Sequence, residues 1–405
     1  MSGRDKKQMS TFVPNVRYQG RPSKAEMQRR WSLASEAMKA ENIDCLIMQA
    51  NDPIMGGYVK WFCEVQTIHI CTALFDSDCN ISFIGHGPKG SAALGPMYEI
   101  ELANNIAVPA FHNAVYADRF VSEEIIKIVK KNGYRKIGFV AENLISAALY
   151  KNLVNNLPEV EFVNATDMVD HLVAVKSPEQ LEALKRTVEL HDAVASAMVS
   201  LLRPGRMERE VCADLYKICS NLGADEFLNN IMIGSVPLAG PMYQMHYQNK
   251  IIEKGDAITL LLEVNNLEGY YGELTRVWTI GEPDPELVEV MAQAVECQDY
   301  IASIAKPGVK GRELFNALNE WLGERGYPPE KRLFGHGQGY NLVERPYFDA
   351  YEEMELKENM FISIHPTLST KSGISVYPCD NFVVTTDGAK ILNKFPRTVI
   401  PCLIF

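Results

Sequence analysis

The sequence lacks an excess of basic residues and any long apolar run. Its 405 residues carry 40 Lys and Arg against 51 Asp and Glu, a formal net charge of -11. This charge argues against nucleic acid and anionic membranes as partners. No apolar run approaches the roughly 20 residues of a membrane-spanning helix. The first thirty residues are polar and have no apolar signal core. The sequence therefore predicts a soluble protein with no membrane partner.

Paired cysteine motifs are also missing. The nine cysteines are scattered singly, without a CxxC pair or a regular framework. An odd number at irregular spacing is typical of reduced thiols in a cytoplasmic protein. There is no internal repeat and no low-complexity segment. We therefore expect an ordinary globular protein in the cytoplasm.

The length and the pattern of elements predict two domains. Strand and helix patterns alternate up to about residue 170, which favours an α/β domain. A long helix then begins, with Ser177 as N-cap, Pro178 at its first position and Gln180 completing a capping box. Helices and antiparallel strand pairs follow. We predict an N-terminal α/β domain over 1–172 and an α+β domain over 173–405.

Two acids stand out in the second half. A Gly255-Asp256 turn precedes an apolar run that ends on Glu263, and a Gly269-Tyr270-Tyr271-Gly272 turn precedes Glu273. Acids about ten residues apart on paired strands can converge on one site, because strand side chains alternate between faces. They would form a carboxylate floor for a metal ion or a cationic substrate. Far downstream, His336 lies between glycines that permit a close approach of the backbone.

The order and spacing of these motifs resemble the creatinase/prolidase family, the pita-bread enzymes. The similarity rests on the Gly255 and Gly269 turns, on Leu274-Thr275-Arg276, on Gly335-His336-Gly337 and on the segment 380–388. The resemblance implies an α+β pita-bread catalytic domain with a smaller α/β N-terminal domain. It also implies a homodimer, in which the N-terminal domain covers the neighbouring subunit's site.

The resemblance also shows where this chain departs from the family. Metallopeptidases of the family hold two metal ions with two aspartates, one histidine and two glutamates. The matching positions here are Glu263 or a neighbour, Glu273, His336, His365 and Cys379. The family's second histidine, seven residues after the first, is replaced by Val343. These differences argue against a dinuclear metal site and against ordinary peptidase action.

The leading hypothesis is therefore a creatinase-like hydrolase, without a cofactor, that cleaves a C–N bond in a small zwitterionic, nitrogen-rich substrate. In this hypothesis His246 is the general base, and Glu263 and Glu273 hold the cationic group. Arg276 binds a substrate carboxylate. The remaining candidates are His336 as a catalytic residue, and Tyr247, Tyr271 and His365 as substrate-binding residues.

Two alternatives remain open. One is an atypical mononuclear metalloenzyme that uses Glu263, Glu273, His336, His365 or Cys379 to hold one zinc or iron ion. It would be a hydrolase such as an Xaa-Pro-type peptidase, or a dimethylsulfoniopropionate-type lyase. The other is a non-catalytic binding module on the same fold. Simpler roles also exist, since Arg276 could pair with an acid and Cys379 could be a small buried hydrophobe.

Overall fold

The computed structural model describes residues 21–50, 56–65, 69–94, 100–111, 114–224, 230–235 and 249–402. The chain divides into two units, Met1–Val173 and Ala174–Phe405. That these units are independently folding domains with the boundary at 172/173 stays a prediction. Among the described residues, every helix is too short or too polar to span a bilayer.

The first unit is built on a mixed six-stranded sheet with strand order β4-β3-β2-β1-β5-β6. Strands β1, β2 and β3 are antiparallel neighbours, whereas β4, β5 and β6 join in parallel. The strands are β1 Cys45–Ala50, β2 Cys71–Asp76, β3 Ile81–His86, β4 Asn104–Val108, β5 Lys136–Val140 and β6 Glu161–Asn164. The helices are α1 Lys24–Ala40, α2 Gly57–Cys63, α3 Asp118–Asn132, α4 Ala147–Asn156 and α5 Thr166–Ala174.

The second unit contains two larger sheets. The four-stranded sheet has the order β17-β9-β8-β7, and the five-stranded sheet has the order β11-β10-β12-β15-β16. A short β13-β14 pair completes the strands of the described part. The strands are β7 Asn230–Ser235, β8 Ala257–Glu263, β9 Leu274–Ile280, β10 Gly335–Gly337, β11 Glu344–Tyr347, β12 Phe361–Ile364, β13 Leu368–Ser369, β14 Ser375–Val376, β15 Asp380–Thr385, β16 Gly388–Ile391 and β17 Val399–Cys402.

Each larger sheet packs against two long helices. Helices α6 Pro178–Leu201 and α7 Glu208–Asn221 share an apolar core with the four-stranded sheet. Helices α8 Pro285–Ile304 and α9 Gly311–Glu324 share one with the five-stranded sheet. Helix α6 begins with the predicted capping box. Such reciprocal hydrogen bonds satisfy backbone donors that the first helical turn leaves unpaired.

Strand alternation decides which side chains face away from these helices. In β8, the side chains of residues 258, 260 and 262 lie in the helix-facing core, so Glu263 lies on the other face. In β12, Ile362 and Ile364 belong to the core, so Ser363 lies on the other face. An isolated antiparallel bridge between Thr275 and Cys379 connects the two sheets. The polar faces of both sheets therefore meet at this bridge.

Candidate functional site

Three buried side chains of the second unit converge next to this bridge. One potential ligand atom from each of Glu273, His336 and His365 lies within 4.8 Å of the others. His336 Nε2 is 3.3 Å from Glu273 Oε2, and the two imidazole ring centres are 5.5 Å apart. Within the described part of the chain, no other three His, Cys, Asp or Glu side chains converge in this way.

Backbone pairing brings these residues together from distant parts of the sequence. His336 in β10 is paired with Ser363 in β12, and His365 follows directly after β12. Glu273 immediately precedes β9. Its backbone is held by Asn381, whose side-chain oxygen accepts from Glu273 N at 3.0 Å and whose amide donates to Glu273 O at 2.8 Å. The carboxylate is therefore presented from a fixed backbone.

The glycines beside His336 are required by close packing. A Cβ on Gly335 would lie 2.3 Å from the Phe348 ring, and one on Gly337 would lie 2.5 Å from the carbonyl oxygen of Arg345. Neither distance is sterically allowed, and in the second case the neighbouring atom belongs to the backbone. The prediction that glycines here permit a close approach is consistent with these contacts.

Hydrogen bonding sets the orientation of His336. Its Nδ1 donates to the backbone carbonyl of Gly337 at 2.9 Å. In the neutral ring, Nε2 is then the unprotonated nitrogen, and it faces Glu273. A backbone carbonyl that accepts from the other ring nitrogen is a usual partner of a metal-binding histidine.

His365 supplies the second imidazole. Its side chain is buried, and its Nε2 has no hydrogen-bond partner among the described residues. A buried polar atom without a partner costs free energy, so such an atom calls for an explanation. A bound cation at the three-residue cluster would satisfy it.

The three groups also perturb one another electrostatically. Burial lowers the pKa of His365 to about 4, which keeps this ring neutral. Burial opposes the charged form of His336, but the hydrogen bond with Glu273 prevails and raises the pKa of His336. Burial likewise opposes ionisation of Glu273, but the adjacent His365 and His336 prevail and lower the pKa of Glu273. The cluster thus combines a carboxylate with two imidazoles.

The residues present fit one metal ion. Two imidazole nitrogens and one carboxylate form a donor set used by catalytic zinc and by non-haem iron. These residues fit poorly to the two-metal site of the family's metallopeptidases, which uses two aspartates, one histidine and two glutamates. Here His365 and Cys379 stand at the positions of the two glutamates. Cys379 is instead engaged with Ser363, at an Sγ to Oγ distance of 3.0 Å, and burial raises the pKa of its thiol well above the ordinary value.

The other predicted site residues lie in different settings. Glu263 is half-buried at the end of β8. Burial lowers the pKa of His336, whereas Glu273 raises it, and the negative charge of Glu263 adds a smaller increase. Tyr271 is buried, and its backbone N–H donates to Gly339 O at 2.7 Å. A role of either residue in binding substrate stays a prediction. His246 and Tyr247 lie outside the described residues.

The assignment of Arg276 to a substrate carboxylate is corrected by the structure. The side chain is completely buried and forms an ion pair with Asp380 at 2.5 Å. The same guanidinium donates to the backbone carbonyl groups of residues 275, 379, 395 and 396. Arg276 is paired with Leu260 of β8 and so lies on the core face of the sheet, opposite to the site.

Three neighbours of the site were not predicted from the sequence. Ser363 donates to Glu273 Oε2 at 3.2 Å, and Asn381 holds the Glu273 backbone. Tyr377 is half-buried, and its pKa is raised by burial and then by the nearby carboxylates of Glu273 and Glu263, so its hydroxyl stays protonated. The available signals were a lone serine between two isoleucines and the Asp380-Asn381 pair.

Comparison with known proteins finds relatives over most of the chain. An Xaa-Pro dipeptidase of Pyrococcus horikoshii is 24% identical over 378 residues, which cover 90% of this chain and 97% of that protein. An Xaa-Pro dipeptidase of Pyrococcus furiosus is 27% identical over 280 residues, or 69% of this chain and 78% of that protein. These relatives contradict the leading hypothesis of a creatinase-like hydrolase of a zwitterionic substrate, which was wrong.

Solved structures show the same fold. The X-Pro aminopeptidase from Thermotoga maritima matches with a TM-score of 0.77 and 21% identity, covering 92% of this chain and 99% of that chain. The prolidase from Pyrococcus horikoshii matches with a TM-score of 0.74 and 21% identity, covering 92% and 100%. The prediction of an α+β pita-bread fold with a smaller N-terminal α/β domain is confirmed.

The sequence profile of metallopeptidase family M24 matches residues 182–386, about half of the chain. The matched segment contains Glu273, His336 and His365, the three residues of the cluster. The expectation of no cofactor is therefore corrected, because the family is one of metallopeptidases and the structure brings together three side chains that could hold a metal ion. The prediction of a hydrolase of the creatinase/prolidase superfamily is confirmed. This chain belongs to metallopeptidase family M24.

Proposed function

We propose that this protein is a hydrolase of Xaa-Pro-type peptides that depends on a single divalent metal ion, zinc or iron. The observation that carries the proposal is the buried cluster of Glu273, His336 and His365, in which Nε2 of His365 has no hydrogen-bond partner in the described part of the chain. The printed names of the relatives support the substrate class. The donor chemistry supports one ion in place of two.

Each residue of the cluster has a defined task. Glu273, His336 and His365 would hold the ion, with His336 oriented by the carbonyl of Gly337. The bound ion would supply Lewis acidity and activate a water molecule for attack on an amide carbonyl. Burial of all three groups excludes bulk water and strengthens their electrostatic interactions.

Two further residues are suited to move protons. Glu263 is half-buried on the polar face of β8, where its carboxylate can accept a proton. Tyr377 keeps its phenolic hydrogen and can donate a hydrogen bond to the substrate. These two residues would replace the histidine that the family has where this chain has Val343.

The proposal is tested by metal content and dipeptide turnover, measured together. We expect about one equivalent of zinc or iron per chain, and loss of Xaa-Pro cleavage after chelation that returns with the ion. Glu273→Gln, His336→Ala and His365→Ala should each lower metal affinity and turnover by more than about a hundredfold, since even outer-shell partners of metal ligands account for 10- to 100-fold.

The matched control is His171→Ala. His171 is a partly exposed histidine of the first unit, with a side chain 37% exposed, so its removal should change neither quantity. Two equivalents of metal in the wild-type protein would contradict a single-ion site. Turnover of Xaa-Pro dipeptides that persists in metal-free protein would contradict the proposed function altogether.

We also infer that the protein is a cytoplasmic homodimer. The free state of all nine cysteines supports a reducing compartment. The family resemblance supports the dimer, and Phe111 and Tyr116 of the first unit are aromatic side chains that are 46% and 73% exposed, suited to an interface.

A further inference from the structure

A chain of hydrogen bonds lies directly behind the metal-binding cluster. Ser363 Oγ is 3.2 Å from Glu273 Oε2 and 3.0 Å from Cys379 Sγ. Ser363 and Cys379 are completely buried, and Glu273 is 5% exposed. Bulk water therefore has almost no access to these groups, and their hydrogen bonds must be made within the protein.

The chemistry of the three groups fixes which of them donate. An ionised carboxylate only accepts hydrogen bonds, so the single hydroxyl hydrogen of Ser363 is donated to Glu273. The Cys379 thiol is 3.0 Å from Ser363 Oγ and also forms a side-chain hydrogen bond with Glu273. Cys379 is therefore a thiol donor that both Ser363 and Glu273 can accept from.

The backbone around Cys379 keeps the thiol at this place. Cys379 O accepts from the backbone N–H of Thr275 at 3.2 Å and from the guanidinium of Arg276 at 3.1 Å. The preceding carbonyl, of Pro378, accepts from the side chain of Gln298 at 2.9 Å. These hydrogen bonds hold the backbone of Cys379, and so the position from which its thiol projects towards Ser363 and Glu273.

We propose that Ser363 and Cys379 are positioning residues that hold the Glu273 carboxylate for one metal ion, through hydrogen bonds from the Ser363 hydroxyl and the Cys379 thiol. This inference rests on the proposed function and deepens it. The residue that replaces the family's last glutamate thus supports the ligand Glu273 from behind.

Zinc affinity, measured by competition with a chromophoric chelator, tests the positioning role. We expect Ser363→Ala to weaken zinc binding by about 10- to 100-fold, as the loss of an outer-shell partner does. Cys379→Ala should weaken it as well, because Ser363 and Glu273 both lose the thiol beside them. Cys379→Ser retains a donor at this place and should restore most of the affinity.

The matched control is Cys297→Ala. Cys297 is equally buried but lies in the apolar core of α8, away from the site. Its truncation removes the same volume and should leave zinc affinity unchanged even where thermal stability falls. The positioning role would be wrong if Ser363→Ala and Cys379→Ala bound zinc with wild-type affinity. It would also be wrong if Cys297→Ala lost as much zinc affinity as these two variants.

Infrared difference spectra separate this inference from the proposed function. The wild-type minus Cys379→Ala spectrum of the metal-free protein should contain a hydrogen-bonded S–H stretching band, and Ser363→Ala should shift that band. Wild-type protein that takes up no ion would overturn the proposed function, while the S–H band would still decide whether the Cys379 thiol donates. Absence of the band would overturn the donor role of Cys379.

Discussion

Arg276 shows how one side chain can hold several segments of the molecule together. Its guanidinium pairs with Asp380 at the start of β15 and donates to carbonyl groups on either side of the contact between the two sheets. Both charged groups are 0% exposed. The bidentate geometry satisfies the buried carboxylate. The buried Arg276 guanidinium is thus engaged within the protein and is not available to a substrate carboxylate.

We predict that Arg276→Met destabilises the protein by about 3–5 kcal/mol, the usual effect of leaving one partner of a buried ion pair unpaired. Chemical denaturation would measure this change. The control is Arg186→Met, because Arg186 has a 53% exposed side chain and pairs with Glu268 at the surface, where such pairs contribute about 0–1 kcal/mol. An Arg276 variant with unchanged stability and a raised KM would instead support a substrate-binding role.

At the scale of elements, His191 connects helix α6 to the end of strand β8 in the four-stranded sheet. This completely buried histidine donates from Nε2 to the carbonyl of Val264, just after β8, at 3.0 Å. Its Nδ1 has no partner among the described residues. Burial lowers the pKa of His191 to about 4, against an ordinary value of 6.5. Protonation would bury a charge between the helix and the sheet.

This pKa predicts a loss of stability on acidification. Between pH 6.5 and about 4 the unfolded chain binds a proton at His191 and the folded chain does not, so the free energy of unfolding falls as pH falls. We expect His191→Gln, which keeps a donor but does not titrate, to lose less stability between pH 7 and pH 4.5. Each pKa unit corresponds to about 1.4 kcal/mol, so the difference should be on the order of 2 kcal/mol.

Denaturant titrations at the two pH values provide the measurement. Equal losses in the wild type and in His191→Gln would show that the buried histidine is not the origin of acid sensitivity.

At the scale of the whole molecule, the proposed dimer is open to a direct measurement. In sedimentation velocity at micromolar concentration we expect a species of about twice the 45.4 kDa of one chain. Replacing the exposed Phe111 and Tyr116 with aspartate should shift the distribution towards monomer if the interface uses that surface. A monomer of the wild-type protein over the same range would contradict the inferred dimer.

Local elements of the fold could be predicted from the sequence with good accuracy. The sequence pattern of residues 285–304 predicts a helix and that of residues 136–140 predicts a strand. The structure has the helix Pro285–Ile304 and the strand Lys136–Val140. The capping box at Ser177 is predicted from Ser177, Pro178 and Gln180 alone, and the structure contains it. These features depend on residues close together in the chain, where periodicity and capping chemistry act directly.

The site was predicted only in part. Glu273, His336 and His365 were all singled out, but whether they bind substrate or a metal could not be decided. Ser363 is marked in the sequence only as a lone serine between two isoleucines, which does not reveal what it contacts. Its contact with Glu273 joins positions 90 residues apart in the sequence. Register between distant strands, which sequence periodicity does not encode, creates that contact.

The sequence by itself determined the family motifs, the order of the elements and the types of side chain available as metal donors. Only the tertiary structure decided that two imidazoles and one carboxylate converge, that Cys379 contacts Ser363, and that Arg276 faces the core. Composition and spacing act along the chain, whereas ligand geometry depends on how β9, β10, β12 and β15 are paired and packed. A side chain's role at this site follows from the face of the strand on which it lies.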